Sequence, residues 1–126
     1  MNLDSLSPDL RAAVDAAQSK FAFGVVVLDL RELRAFTGHF VICSAASGPQ
    51  VQAIAEEVDA RLEAMGHRAQ HREGLRGGGQ WVLLDYGSFV VHIFHEQARQ
   101  FFDLERLWRS AARLEVPDEH SRQAAS

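Results

Sequence analysis

Histidine supplies the first candidates for chemistry in this sequence, because an imidazole can bind a metal ion or act as a general base. There are six histidines. His92 and His95 are three residues apart in an apolar run, so in a strand they point to opposite faces. His67 and His71 would share a strand face, but roughly 13 Å of strand separates them. Because His95–Arg99 also lacks the second histidine of an HExxH motif, the sequence predicts no metal site.

Three other features could carry chemistry, and each has a simpler structural interpretation. Cys43 lies inside an apolar run, where burial raises the pKa of a thiol and favours a core residue over a nucleophile. Gly77-Gly78-Gly79 precedes a strand, whereas a phosphate loop leads into a helix N-terminus, so we expect a turn. Asp29 and Glu32 lie near a strand end without a D-x-D pair for two-metal chemistry. The sequence thus predicts neither an enzyme nor a cofactor.

The composition is that of an ordinary globular domain. The chain has 126 residues, of which 47% are hydrophobic and 24% charged, enough for one core without disulfides. The single cysteine favours a reducing compartment, and the polar start MNLDSLSPDL is unlike a signal peptide, so we expect a cytoplasmic protein without a membrane span. The net charge is −4, and twelve of the thirteen basic residues are scattered arginines, which disfavours direct nucleic-acid binding.

Residues that typically start or stop helices, together with apolar periodicity, divide the chain into predicted helices and strands. Ser7 and Pro8 are typical of a helix start, and Ser47 with Gln50 fits a capping box for a helix that stops at Gly66. Periodicity predicts helices at 8–20, 48–65 and 98–112, and strands at 25–29, 40–43, 67–73, 80–86 and 89–95. We therefore expect one layered α/β (α+β) domain at 1–115 with a five-stranded mixed sheet, in the order α-β-β-α-β-β-β-α, and a disordered tail at 116–126.

The two strongest strand signals form a hairpin that carries the functional information. Gly87-Ser88 fits a two-residue type II′ turn, which would place Tyr86 opposite Phe89. One face should then pack on the helices; it carries Val82, Leu84, Tyr86, Phe89, Val91 and Ile93. The other face mixes aromatic, aliphatic, acidic and imidazole side chains, as protein-binding surfaces do; it carries Trp81, Leu83, Asp85, Val90, His92 and Phe94.

A second interpretation of this face stays open from the sequence. A second helix layer could cover it, leaving Asp85 and His92 as a satisfied buried pair. The exposed interpretation is favoured by the small number of predicted helices, because three helices are few to cover both faces of five strands. A register shift of one residue would exchange the two faces.

Several stretches together resemble one known family. They are VVVLDLREL, TGHFVICSAASGPQVQAIAEEVDARL, REG and WVLLDYGSFVVHIFHEQARQFFDLERLW, and they run from about Val25 to Trp108. In this order they are similar to the RsfS/Iojap family of ribosomal silencing factors. The sequence departs from the family pattern in three loops: Gly38-His39 before the second strand, Ser44–Ser47 after it, and Gly87-Ser88 in the hairpin.

The resemblance implies a fold and a function. Family members resemble the nucleotidyltransferase fold without its catalytic acids. They are understood to bind the fourteenth protein of the large ribosomal subunit, to hinder joining of the small subunit, and to repress translation when nutrients are limiting; organellar relatives take part in subunit assembly. Trp81, Asp85 and His92 match family positions, so the resemblance implies that they belong to the partner surface.

Charge and composition bear on the choice of partner. A mildly acidic protein on the ribosome should be attracted to a basic ribosomal protein rather than to rRNA. Two alternatives remain: a self-associating adaptor whose apolar face forms a homodimer, and an assembly factor without silencing activity. A homodimer of the free protein is also compatible with a ribosomal silencing factor. A nucleotide-using enzyme rests only on fold analogy and the triple glycine.

Overall fold

A mixed six-stranded sheet forms the centre of the computed structural model, which describes residues 1–118. In chain order the elements are α1 (Pro8–Ser19), β1 (Phe23–Asp29), β2 (His39–Ala45), α2 (Gly48–Ala64), β3 (His71–Glu73), β4 (Trp81–Asp85), β5 (Phe89–His95), α3 (Glu96–Phe102), α4 (Leu104–Leu107) and β6 (Ala112–Val116). The strand order is β3-β4-β5-β2-β1-β6. The β2–β5 pair is parallel and the other four pairs are antiparallel.

Both long helices begin where their capping residues predict. Ser7 Oγ accepts a hydrogen bond from the backbone N–H of Leu10 at 3.4 Å, and Pro8 is the first helical residue of α1. Ser47 Oγ accepts from the N–H of Gln50 at 3.2 Å, while the Gln50 side chain accepts from the N–H of Ala46 at 2.7 Å. Since these bonds satisfy N–H groups that have no partner inside a helix, they fix where α1 and α2 start.

The β4–β5 hairpin has the predicted register. Tyr86 N–H donates to Phe89 O at 2.9 Å, and Asp85 is paired with Val90. Gly87, the first central residue of the turn, has φ +86°, the conformation that a type II′ turn requires and that glycine adopts without strain. The two faces of the hairpin are therefore those assigned from the sequence.

The sheet separates two apolar cores. The larger core lies between the sheet and the helices α1 and α2, and it includes Val14, Ile54, Val58 and Leu62 from the helices. All six predicted inner-face residues of the hairpin belong to it: Val82, Leu84, Tyr86, Phe89, Val91 and Ile93. The smaller core lies on the opposite face, where β1, β2 and β5 contribute Leu28, Phe40 and Phe94 among others.

The C-terminal part of the prediction is wrong in two respects. The predicted helix 98–112 is two short helices, because Asp103 adopts a left-handed conformation with φ +48° and ends α3. A sixth strand follows and pairs with β1, with Val116 opposite Val25, so the sheet has six strands and not five. The residues of β6 show no alternation of apolar and polar side chains that would have predicted a strand, since only one of its five side chains is buried.

The predicted tail, which was expected to begin at residue 116, begins too early in the sequence. Val116 lies in β6, and the carbonyl of Pro117 accepts a hydrogen bond from Gln18 Nε2 at 2.8 Å. Residues 119–126, the rest of the predicted tail, lie outside the described residues. Within residues 1–118, no helix is both long and apolar enough to cross a bilayer.

Candidate protein-binding surface

The candidate surface is the hairpin face that points away from α1 and α2, and its two strands differ in exposure. On β4, Trp81, Leu83 and Asp85 are half-buried. On β5, Val90, His92 and Phe94 are buried, with His92 only 3% exposed. The expectation that all six side chains are exposed is therefore wrong for the β5 residues. β5 lies further inside the sheet, between β4 and β2, and is covered, whereas β4 lies next to the short edge strand β3 and is covered less.

The helices α3 and α4 provide this cover. Because α3 follows β5 directly, its Ala98 is buried against the same face. After the turn at Asp103, the partly buried side chains of Leu104 and Trp108 pack against the smaller core. The centroid of the Trp108 ring lies 5.8 Å from that of the Phe40 ring, and all ring distances below are between centroids. The alternative of a second helix layer is thus correct for β5, while the outer-face side chains of β4 stay partly exposed.

Polar contacts hold α3 and α4 on the sheet. Arg99 donates to Glu105 Oε1 at 2.8 Å, to the carbonyl of Gly24 at 2.6 Å and to Ser44 Oγ at 2.9 Å. Glu105 also pairs with Arg113 of β6. Burial opposes the charged form of Glu105, but the hydrogen bonds from Arg99 and Arg113 outweigh it and lower its pKa. These hydrogen bonds and ion pairs therefore join β1, β2 and β6 to the helices that cover the surface.

Aromatic side chains that the sequence did not single out extend the surface onto α3. Phe101 and Phe102 are 82% and 49% exposed. The ring of Phe102 lies 5.0 Å from that of Trp81 and 5.1 Å from that of Phe101. Consecutive residues on a helix point in different directions, so two adjacent bulky aromatic residues favour the exposure of at least one ring, a signal that sequence reasoning missed. We call Trp81, Leu83, Phe101 and Phe102 the aromatic surface.

Beneath this surface, Trp81 and His92 form a buried polar contact. Trp81 Nε1 donates to His92 Nδ1 at 3.1 Å. An indole N–H can only donate, so Nδ1 is unprotonated and the hydrogen of the neutral ring is on Nε2. That Nε2 atom is buried and has no hydrogen-bond partner among residues 1–118. Burial lowers the pKa of His92 to about 4, so the ring is neutral at physiological pH.

Asp85 does not pair with His92, which contradicts the buried pair considered from the sequence. Its carboxylate accepts a hydrogen bond from the N–H of Gly87 at 2.8 Å and so stabilises the hairpin turn. Asp85 and Leu83 lie two residues apart on the same face of β4, both half-buried. A carboxylate thus stands beside the apolar part of the surface.

The residues considered for catalysis have structural roles. Cys43 is fully buried, and burial raises its thiol pKa to about 12. Hydrogen bonds from Arg31 lower the pKa of Asp29 to about 2, so this carboxylate stays charged in an ion pair. Gly79 packs on the start of α2, where a Cβ atom would lie 2.5 Å from the Cα of Gly48. No group of three or more metal-ligating side chains comes together within residues 1–118.

The fold and this surface define a class of protein: a small α+β domain whose exposed aromatic side chains lie together beside an acid, as in proteins that bind other proteins. Residues 4–126 match the family described as "Ribosomal silencing factor during starvation". The chain belongs to this family, which places it among regulatory factors associated with the ribosome.

Individual relatives agree with this assignment. The ribosomal silencing factor RsfS of Halalkalibacterium halodurans is 37% identical over 107 residues, which cover 85% of this chain and 91% of that protein. The chloroplastic protein Iojap of Zea mays is 34% identical over 110 residues, covering 86% of this chain and 46% of Iojap. A crystal structure of a Chromobacterium violaceum protein matches with a TM-score of 0.76 at 29% identity, covering 79% of this chain and 82% of that one.

Proposed function

We propose that this protein binds the large ribosomal subunit through its fourteenth ribosomal protein, blocks joining of the small subunit, and represses translation chiefly under nutrient limitation. The single observation that carries the proposal is the aromatic surface, in a chain that belongs to the ribosomal silencing factors. The site of action would be the cytoplasm. No cofactor is required, because binding alone obstructs the subunit interface.

The chemistry of the surface favours a protein as the partner. Exposed Phe102 lies against half-buried Trp81 and against the exposed ring of Phe101, and clustered aromatic side chains of this kind supply most of the binding free energy in protein interfaces. Nucleic acid would instead need a basic surface, whereas this chain has a net charge of −4 and carries Asp85 beside Leu83. A basic ribosomal protein satisfies both the apolar and the acidic parts of the surface.

Catalysis has no part in the proposal. The family is regulatory, and the candidate nucleophile Cys43 is inaccessible and held as a thiol by its raised pKa. Asp29 is engaged by Arg31 and has no second acid of a two-metal site beside it in the sequence. The likeness to the nucleotidyltransferase fold expected from the family stays a prediction, and it carries no argument for nucleotide chemistry.

Self-association of the free protein is a natural consequence of the same surface. Apolar side chains that are partly open to water, as Trp81, Leu83, Phe101 and Phe102 are, gain free energy when any complementary surface covers them. We propose that a homodimer formed in this way competes with the ribosome for the aromatic surface. Dilution should therefore favour binding to the large subunit relative to the dimer.

Sedimentation with ribosomal particles tests the proposal. The wild-type protein should comigrate with free large subunits in a sucrose gradient and should slow their joining to small subunits, followed by light scattering. Phe101→Ser should reduce both effects at least tenfold, because Phe101 is 82% exposed and its loss leaves the core intact. Met65→Ser is the matched control, since Met65 is an exposed apolar side chain at the end of α2, on the opposite face of the sheet.

Two results would contradict the proposal in different ways. Equal comigration of Phe101→Ser and Met65→Ser with large subunits would mean that the aromatic surface is not the binding site. Comigration without any effect on subunit joining would remove silencing and leave the alternative of an assembly factor. Binding of the purified fourteenth ribosomal protein, measured by calorimetry, identifies the direct partner.

A further inference from the structure

We propose that His92 is a positioning residue for partner binding: from beneath the aromatic surface it fixes the indole ring of Trp81 through the hydrogen bond between Trp81 Nε1 and His92 Nδ1. The inference rests on the proposed function, because it assigns a role within the same surface. It replaces the expectation that His92 contacts the partner directly, which its 3% exposure excludes in this conformation.

The strand pairing does not by itself place Trp81 against His92. Trp81 is directly opposite Phe94, and His92 is directly opposite Leu83, so Trp81 and His92 are diagonal neighbours. Diagonal side chains in an antiparallel pair meet only when they lean towards each other along the strands. The indole does so while its ring also lies 4.7 Å from that of Phe94 and 5.0 Å from that of Phe102. Its orientation is thus fixed by two ring contacts and one directional bond.

The imidazole is itself held in place by apolar neighbours. The ring of Phe40 meets it edge-to-face at 4.5 Å and 75°, and the ring of Phe94 lies parallel at 6.3 Å. Its only hydrogen bond to another side chain among residues 1–118 is the one from Trp81, and Nε2 has no partner. An unsatisfied N–H in a core costs free energy that an apolar side chain of similar size would not. The acceptor at Nδ1 is what histidine provides here and leucine or phenylalanine would not.

This arrangement has consequences for binding. An indole already ordered in the free protein loses less conformational freedom when a partner covers it. Because the Trp81 N–H is satisfied from within, the partner needs no acceptor for it and can meet the ring with apolar side chains alone. The partner chemistry that fits is therefore a basic protein with an apolar patch opposite Trp81, flanked by cationic groups that suit Asp85.

Three variants of His92 separate this role from a structural one. His92→Leu removes the acceptor and should keep the fold, yet weaken binding to large subunits about tenfold. His92→Asn should recover part of the affinity, because its side-chain oxygen can take the place of Nδ1 even if the protein is less stable. His92→Phe serves as a second acceptor-free variant should leucine fail to pack. Leu28→Ala is the control: Leu28 is buried in the same smaller core but belongs to β1, outside the hairpin, and its truncation should lower stability without changing affinity.

Two further measurements decide whether the effect passes through Trp81. In a Trp81→Phe background, His92→Leu should cause no additional loss of binding, because the bond is already absent. In a Trp108→Phe background, where Trp81 is the one remaining tryptophan, His92→Leu should lower the fluorescence anisotropy of Trp81 and His92→Asn should restore it.

The outcomes are distinguishable. Wild-type affinity in His92→Leu, or an equal loss with and without the Trp81 indole, would overturn the positioning role. Unchanged anisotropy of Trp81 in His92→Leu would overturn it as well, whatever the ribosome assay gives. If the wild-type protein does not bind large subunits, the proposed function fails, and the anisotropy measurement still decides whether His92 orders Trp81.

Discussion

Acid should destabilise this protein well above the pH at which its carboxylates titrate, because His92 is buried as a neutral ring. Burial lowers the pKa of His92 to about 4 in the folded state, against an ordinary value of 6.5. In the unfolded chain the ring therefore takes up a proton at higher pH than in the folded chain. The free energy of unfolding is unaffected by this group above about pH 6.5 and decreases as the pH falls towards 4.

The size of the effect follows from the two pKa values. Their difference of about 2.5 corresponds to about 3 kcal/mol when the full range is crossed, at 1.36 kcal/mol per unit. At pH 5 the loss relative to pH 8 is about 2 kcal/mol, because most unfolded chains and few folded ones are then protonated. A small domain is typically stable by only ~5–15 kcal/mol, so a loss of this size is readily measured.

The structural cause is specific to this position. The ring contacts of His92 are with Trp81, Phe40 and Phe94, and burial is the one cause of its lowered pKa. Protonation of Nδ1 would also set its N–H against the N–H of Trp81, which now donates to it. Among residues 1–118, the protonated ring would therefore have neither a counter-charge nor a hydrogen-bond acceptor beside it.

Urea unfolding of the wild type and of His92→Phe at pH 7.5, 6 and 5 measures the effect. Other groups titrate in both proteins, including His39, whose pKa is lowered chiefly by burial, and their contributions cancel in the difference. The stability of the wild type relative to the variant should fall by about 2 kcal/mol between pH 7.5 and pH 5. Parallel pH dependence in the two proteins would refute the assignment of His92 as a buried neutral ring.

Three further variants test other contacts. Asp59→Ala should reduce the free energy of unfolding by about 1.5–3 kcal/mol in denaturant titrations, because the Tyr86 hydroxyl donates to this carboxylate at 2.8 Å; in a Tyr86→Phe background the loss should be smaller. Gly79→Ala should lower the Tm more than Gly78→Ala, since both have φ +80° but only at Gly79 would the added Cβ atom collide with the backbone of α2; equal Tm values would contradict that collision. Trp81→Ala should cost about 2–4 kcal/mol of stability, and an unchanged unfolding curve would mean that the indole is not packed as described.

The sequence predicted the orientation of the hairpin because that orientation depends on local chemistry. A two-residue turn with glycine first allows one register, and the register assigns each side chain to a face. Gly87 has the positive φ that this reasoning required, and Tyr86 pairs with Phe89. The helix starts at Ser7 and Ser47 were predictable for the same reason: the capping hydrogen bonds span three residues.

What covers the outer face could not be predicted, because it depends on contacts between distant parts of the chain. The apolar spacing of Leu104, Leu107 and Trp108 indicated one long helix, yet the left-handed conformation of Asp103 divides it. The sixth strand is stabilised mainly by backbone pairing with β1 and buries one side chain, Val116, so its own pattern gives no strand signal. The burial of β5 beside the half-buried side chains of β4 depends on these distant elements. The sequences of the two strands themselves give no signal of it.

The position of α3 and α4 over the outer face of the sheet determines which residues of the aromatic surface affect both stability and binding. Trp81 contacts the core through Phe94 and His92, and substitutions there should change both the free energy of unfolding and the affinity. Phe101 projects from α3 and is 82% exposed, so its substitution should change the affinity alone. The helix that carries it is held by the Arg99–Glu105 pair, whose side chains are only 15% and 21% exposed. Water weakens such a pair less than an exposed one, so α3 can present its aromatic side chains from a fixed position before any partner arrives.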